Sequence, residues 1–147
     1  MKKFLLSVAA ILILLAGCNT VSAEENFAVE VLQLVNEERA KVGAPPLRLA
    51  PDLMECAAIR AEEITEEFSH TRPDGSDCFT VMENRGRTCG ENIAAGHGTA
   101  EETVDQWMNS EGHRENILDP RYRELGVGYA YSEYSMYHHY WVQLFRG

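Results

Sequence analysis

The stretch WMNSEGHRENIL, Trp107 to Leu118, sets Gly112 beside His113 in the middle of an otherwise amphipathic segment. Gly costs roughly 1 kcal/mol relative to Ala inside a helix, so this pattern predicts a chain break that aims the His113 imidazole. FSHTRPDGSDCF places Ser69 and His70 just ahead of the turn residues Arg72-Pro73-Asp74-Gly75. Adjacent residues rarely point a nucleophile and its base at each other, so Ser69 and His70 do not read as a hydrolase pair. A third stretch, CGENIAAGHG, carries Glu91, a carboxylate that could do chemistry or simply hold its loop by accepting backbone N–H bonds. Neither Gly-x-Ser-x-Gly nor His-Glu-x-x-His occurs, which removes a nucleophile elbow and a zincin helix. His138 and His139 lie on an expected strand, where neighbours face opposite ways and cannot easily grip one ion.

The opening MKKFLLSVAAILILLAGC has two lysines, an apolar run from Phe4 to Leu15 and then small residues, the pattern of an export signal. The run is shorter than the ~18 to 20 apolar residues of a permanent span. Leu15-Ala16-Gly17-Cys18 resembles the lipobox of bacterial lipoprotein precursors, which are cut before the cysteine and carry diacylglyceryl on its thiol. The alternative is ordinary secretion with cleavage after Val21-Ser22-Ala23. Cleavage before Cys18 leaves 130 residues, and the loss of Lys2 and Lys3 moves the formal charge from −10 to −12. Such a surface repels phosphate backbones, which argues against nucleic acid and makes anionic headgroups poor partners. Three further cysteines, Cys56, Cys78 and Cys89, leave the reducing cytosol with the chain, so one disulfide and one thiol are expected. Cys56 to Cys78 is the expected pair, since it would staple a helix to the following loop. No Cys-x-x-Cys spacing supports a structural zinc knuckle.

The elements that must position these groups follow from periodicity. Phe27, Val31, Leu32, Val35 and Val42 give a helix over Phe27–Val42, stopped by Gly43 and Pro45-Pro46. Leu53, Ala57, Ala61 and Ile64 give a second over Pro51–Glu67, with Glu55, Glu62, Glu63, Glu66 and Glu67 as its solvated face. CGENIAAGHG reads as a loop. Thr99 and Glu102 form a capping box opening a helix to Asn109, with Val104, Trp107 and Met108 inward. A short helical segment follows Gly112 and ends at Asp119-Pro120. Two β-rich runs, Glu124–Tyr131 and Met136–Phe145, read as an antiparallel hairpin with a four-residue connection. The organisation expected is a signal at 1–17, a lipidated tether at 18–26 and one domain at 27–147.

Six pieces in order, VNEERAKVGAPPLRL, FSHTRPDG, GENIA, WMNSEGHRENIL, ELGVGYA and YWVQLF, resemble the bacterial branch of the CAP superfamily. This is the SCP domain, or cysteine-rich secretory, antigen 5 and pathogenesis-related 1 family. The resemblance covers Phe27 to Gly147 and implies an α+β fold, a three-layer α-β-α sandwich with a small, mainly antiparallel sheet and an open cleft. It places His70, Glu91 and His113 in that cleft. The second glutamate of eukaryotic members, three residues after a tryptophan, is Ser110 here, and neither Glu111 nor Glu115 matches the motif. Two imidazoles and a carboxylate could ligate a divalent cation such as zinc with water in an open position, or transfer protons. The signal and the LAGC stretch together with this resemblance lead to the expectation of an exported envelope protein, anchored to the extracytoplasmic side of a membrane through Cys18, with secretion as the alternative. It would bind a small lipid, a surface protein or a divalent metal rather than catalyse. A metal- or Glu/His-dependent hydrolase and a structural or protein-interaction module are the alternatives.

Overall fold

A computed structural model describes the chain from Ala23 to Gly147. The expected signal, Cys18 and the first part of the expected tether lie outside the described residues. Helix α1 spans Ala23–Lys41, beginning inside the expected tether. It ends in a Schellman motif: Gly43, at φ 72°, donates to the Ala40 carbonyl, and the Ala44 N–H reaches back to that of Arg39. Strand β1 is only Arg48–Leu49, and α2 spans Pro51–Glu66 with proline in its first turn. A single 3-10 turn at Cys78–Val81 precedes β2, Cys89–Ala95. Helices α3, Ala100–Met108, and α4, Glu111–Leu118, are followed by β3, Glu124–Tyr131, and β4, His139–Arg146.

The four strands are ordered β1-β3-β4-β2, with β1 parallel to β3 and the other two pairings antiparallel. The two-residue period divides the core. Leu125, Val127, Trp141 and Phe145 face a layer formed by α1, α3 and α4, where Val31, Val35, Val104, Trp107 and Ile117 are buried. Ala130, Tyr140, Val142 and Leu144 face α2 through Leu53, Ala57, Ala61 and Ile64. On that second face β3 carries Gly126 and Gly128, and a Cβ there would lie 2.2 Å from the Leu53 carbonyl oxygen and 2.0 Å from that of Ala57. The α2 backbone therefore rests directly on β3.

Three expectations are corrected. CGENIAAGHG is no loop over its first part: Cys89–Ala95 pairs along its length with Arg146–Tyr140. Helices α3 and α4 cover one face of β2, and the 3-10 turn with Arg60 of α2 closes the other, so Gly90 to Ala94 are all buried and the polar-apolar alternation of a half-exposed strand is missing. The break in WMNSEGHRENIL falls at Asn109 and Ser110, the latter extended at φ −111°, ψ 124°, while Gly112 lies inside the first turn of α4. The hairpin connection runs over 132–138 rather than four residues, because His138 adopts φ 60° and only His139 joins β4. The capping box stands: Thr99 accepts from the Glu102 N–H. Trp107 is fully buried, and Met108 packs half-buried against the same cluster.

Candidate functional site

Strand period sends Glu91 to the α2 side of β2 and Asn92 to the α4 side. These two neighbours therefore tie both helical layers to the edge of the sheet. On the α2 side, Arg60 donates to Glu91 through Nε at 2.8 Å and Nη2 at 3.3 Å. The same guanidinium reaches Glu63 at 2.6 Å and the Ser69 carbonyl at 2.7 Å. Glu63, expected on a solvated face, is instead held between Arg60 and Arg72. His70 Nδ1 lies 2.8 Å from Glu91 Oε1, and the His70 carbonyl accepts from the Cys78 N–H. On the other side, Asn92 donates to the His113 carbonyl at 3.0 Å and to Gln143 Oε1 at 3.0 Å, while Asn116 donates to Asn92 Oδ1 at 2.9 Å. Trp107 Nε1 donates to the Ile93 carbonyl and pins α3 to the same strand. A cavity of about 250 Å³ opens here, lined by Phe68, Ile93, Ala94, Ala95, His113 and Tyr137.

The electrostatics separate the two histidines. The hydrogen bond to Glu91 raises the His70 pKa against the opposing effect of burial. Burial, with some help from the His70 charge, lowers that of His113. Burial pushes Glu91 upward, but the bonds from His70 and Arg60 outweigh it and hold the carboxylate ionised. His113 Nδ1 is buried without a hydrogen-bond partner. Burial, reinforced by the charges of Glu91 and Asp77, pushes the Cys78 thiol up to about 12. It is therefore protonated and a poor nucleophile at neutral pH.

The structure brings His70 and Glu91 together as the sequence implies, but the third side chain in contact is Cys78. Ligating atoms of His70, Cys78 and Glu91 all lie within 4.8 Å of one another, and His113 is outside that group. Cys78 thus faces Glu91 and not Cys56, whose Sγ sits 3.1 Å from the Val81 carbonyl oxygen. The expected Cys56–Cys78 disulfide is absent, and Cys56, Cys78 and Cys89 are all free thiols. The motifs mark neither Arg60 nor the role of Asn92. Arg60 had a signal: it falls on the apolar stripe of α2 between Ala57 and Ile64, and a charge in that position needs a buried partner.

A family model for the cysteine-rich secretory protein family, CAP, matches residues 32–145. The chain belongs to the CAP family. The Bacillus subtilis protein YkwD is 41% identical over 119 aligned positions, covering 78% of this chain and 45% of YkwD. The crystal structure of an extracellular Bacillus anthracis protein containing an SCP domain is 28% identical with a TM-score of 0.72, covering 84% of this chain and 41% of that one. An outer surface protein of Borrelia burgdorferi shares the fold with a TM-score of 0.71 at 19% identity, over 82% of this chain and 92% of its own. The chain thus spans less than half the length of YkwD and of the B. anthracis protein. No helix among the described residues is long and apolar enough to cross a membrane.

The partners of Glu91 decide how this site could meet a zinc ion. Glu91 gives both oxygens to Arg60 and one also to His70, which makes it an orienting carboxylate rather than a free ligand. A histidine whose Nδ1–H is held by a carboxylate presents Nε2 as a donor of raised basicity, the usual arrangement behind a metal-binding imidazole. His70 Nε2 and His113 would then hold the ion. Cys78 would join only by giving up a tightly held proton.

Proposed function

We propose that the protein is exported, is held to the outer side of a membrane by diacylglyceryl on Cys18, and uses its CAP domain to bind a ligand rather than turn one over. The observation that carries this reading is the commitment of Glu91: its carboxylate is locked between Arg60 and His70 and is not free to activate water. A hydrolase at this cleft would need a general base within reach of its nucleophile, and the buried Cys78 thiol does not supply the nucleophile. The extracellular B. anthracis relative supports export, and the LAGC sequence at Leu15–Cys18 supports the anchor.

Two histidines of unequal basicity beside an apolar cavity suit a divalent cation such as zinc, which would supply a fixed positive charge at the mouth of the cleft. A cavity of about 250 Å³ falls below the ~300 to 1,000 Å³ of pockets that enclose drug-sized ligands. A small lipid would therefore enter only in part. Calorimetric titration of the protein with zinc tests the reading. Saturable binding that disappears in the His70→Ala, His113→Ala double variant, and persists in His97→Ala, is the expected result. Equal heats from the wild type and the double variant would remove the cleft as the site.

A further inference from the structure

The β3–β4 connection reads SEYSMYH over 132–138. Tyr134 is 96% exposed and Met136 84% exposed, and Tyr131, Tyr137 and Phe68 are each roughly half exposed. Single exposed apolar residues are ordinary, but a contiguous group marks a contact surface. The other large hydrophobics exposed among the described residues, Val29, Val42 and Ile59, are on α1, just after it and on α2. The connection is also fixed in shape. Ser132 N–H donates to the His138 carbonyl at 2.8 Å, the His138 N–H donates to Ser135 Oγ at 3.1 Å, and His138 holds φ 60°. These bonds project Tyr134 and Met136 outward.

The direction of α1 says what lies beyond them. Near its start, Phe27 packs 5.0 Å from Tyr129 and 5.4 Å from Trp141, ring centre to ring centre, at the hairpin ends of β3 and β4. Twelve residues later Arg39 donates to the Tyr122 carbonyl at 3.2 Å, just before β3 begins. Helix α1 therefore runs antiparallel to β3, and its N-terminus lies at the hairpin end of the molecule. Ala23, four residues before Phe27, extends about 6 Å further that way at ~1.5 Å per residue. Cys18 is five positions before Ala23, and five residue steps span at most about 18 Å. An acyl anchor on Cys18 keeps this end of the domain against the bilayer.

We propose that the Tyr131–Tyr137 hairpin tip is a second membrane contact, inserting Tyr134 and Met136 into the interfacial zone of a bilayer of neutral headgroups beside the Cys18 anchor. The orientation rests on the lipidation of Cys18 proposed above. Tyr suits this zone because its ring is apolar and its hydroxyl remains wet, and Met supplies a flexible apolar side chain. Glu133 is the only acid or strong base in the connection. With a formal charge of −12 once the chain is cut before Cys18, apolar area rather than headgroup attraction drives the contact. Phe68 and Tyr137 line the cleft cavity as well as the patch, so the cleft opens beside the membrane surface.

The test uses the protein expressed with its own signal, purified in detergent and reconstituted into phosphatidylcholine vesicles, with the N-terminal peptide weighed by mass spectrometry. Tyr134→Trp is the reporter and Arg121→Trp, just before the opposite end of β3, the control; the unsubstituted protein gives the background of buried Trp107 and Trp141. The expected result is a blue shift of Tyr134→Trp emission on reconstitution and its loss to brominated acyl chains, with Arg121→Trp unaffected. Lipidated, vesicle-bound protein whose Tyr134→Trp emission stays as water-exposed as that of Arg121→Trp overturns the proposal while leaving the anchor intact. If Cys18 proves unmodified, the anchor reading has failed by itself. The hairpin then stands only if the unlipidated protein still binds vesicles with Tyr134→Trp quenched, and falls if it does not.

Discussion

Replacing Glu91 by leucine removes two of the four hydrogen bonds made by the Arg60 guanidinium and leaves that group, 0% exposed, with Glu63 and the Ser69 carbonyl alone. Removing one partner of a buried ion pair costs about 3 to 5 kcal/mol, and the surviving Glu63 contact puts this case near the lower figure. That is a large part of the ~5 to 15 kcal/mol by which such domains are stable. With a urea m-value of about 1 to 3 kcal/mol/M, a loss of ~3 kcal/mol lowers the unfolding midpoint by about 1 to 3 M. Arg60→Met alone should be comparably harmful, because it leaves buried Glu91 with only His70, a partner more than half exposed. Combining Arg60→Met with Glu91→Leu removes both charges and should recover most of the loss, since apolar replacement of a whole buried pair is often neutral. Urea unfolding of all four proteins at pH 7, followed by circular dichroism, decides it. A Glu91→Leu protein within about 1 kcal/mol of the wild type, or a double variant worse than the two singles added together, would refute the view of Glu91 as a buried structural carboxylate.

Gly128→Ala places a Cβ 2.0 Å from the Ala57 carbonyl oxygen, so α2 must move away from β3; a fall in stability at the upper end of the ~1 to 3 kcal/mol typical of overpacking is expected in thermal melts. In protein purified under oxidising conditions Cys56, Cys78 and Cys89 should all take up an alkylating agent after denaturation without reductant. In the native state Cys78 should react last, because it is 3% exposed with its thiol pushed up to about 12. The pH profile of the histidines follows from their partners. In an NMR titration His70 should lose its proton above the ordinary ~6.5 and His113 below it, and Glu91→Gln should return His70 toward the ordinary value. Because His70 is raised in the fold, its contribution to stability is fully present below ~6.5 and fades as pH rises through the raised value; depressed Glu91 contributes above ~4.5 and its share is lost on acidification.

Much of the fold was legible because helices announce themselves by period and by caps. The Leu53, Ala57, Ala61, Ile64 stripe and the Thr99 capping box read directly into α2 and α3. Strand β2 was not legible: it is an edge strand in the ladder yet covered on both faces, and its Gly90, Glu91 and Asn92 have loop-like identities. Those polar residues are there because each has a partner in a different helical layer, a tertiary fact that no local pattern carries. The His70 and Glu91 contact was legible through the family motifs. Arg60, which determines what Glu91 can do, was hidden among the apolar residues of a helix expected to be solvated on its other face. The free state of Cys78 was equally hidden, since cysteine counting cannot tell a thiol facing a carboxylate from one facing another thiol.

The most direct test of the account is the anomalous difference density at the zinc edge in crystals of the protein grown with zinc. One peak is expected in the cleft, bonded to His70 and His113, with Glu91 still held by Arg60 and hydrogen-bonded behind His70. A cleft without a peak, or a peak bonded to Glu91 with Arg60 displaced, would contradict it.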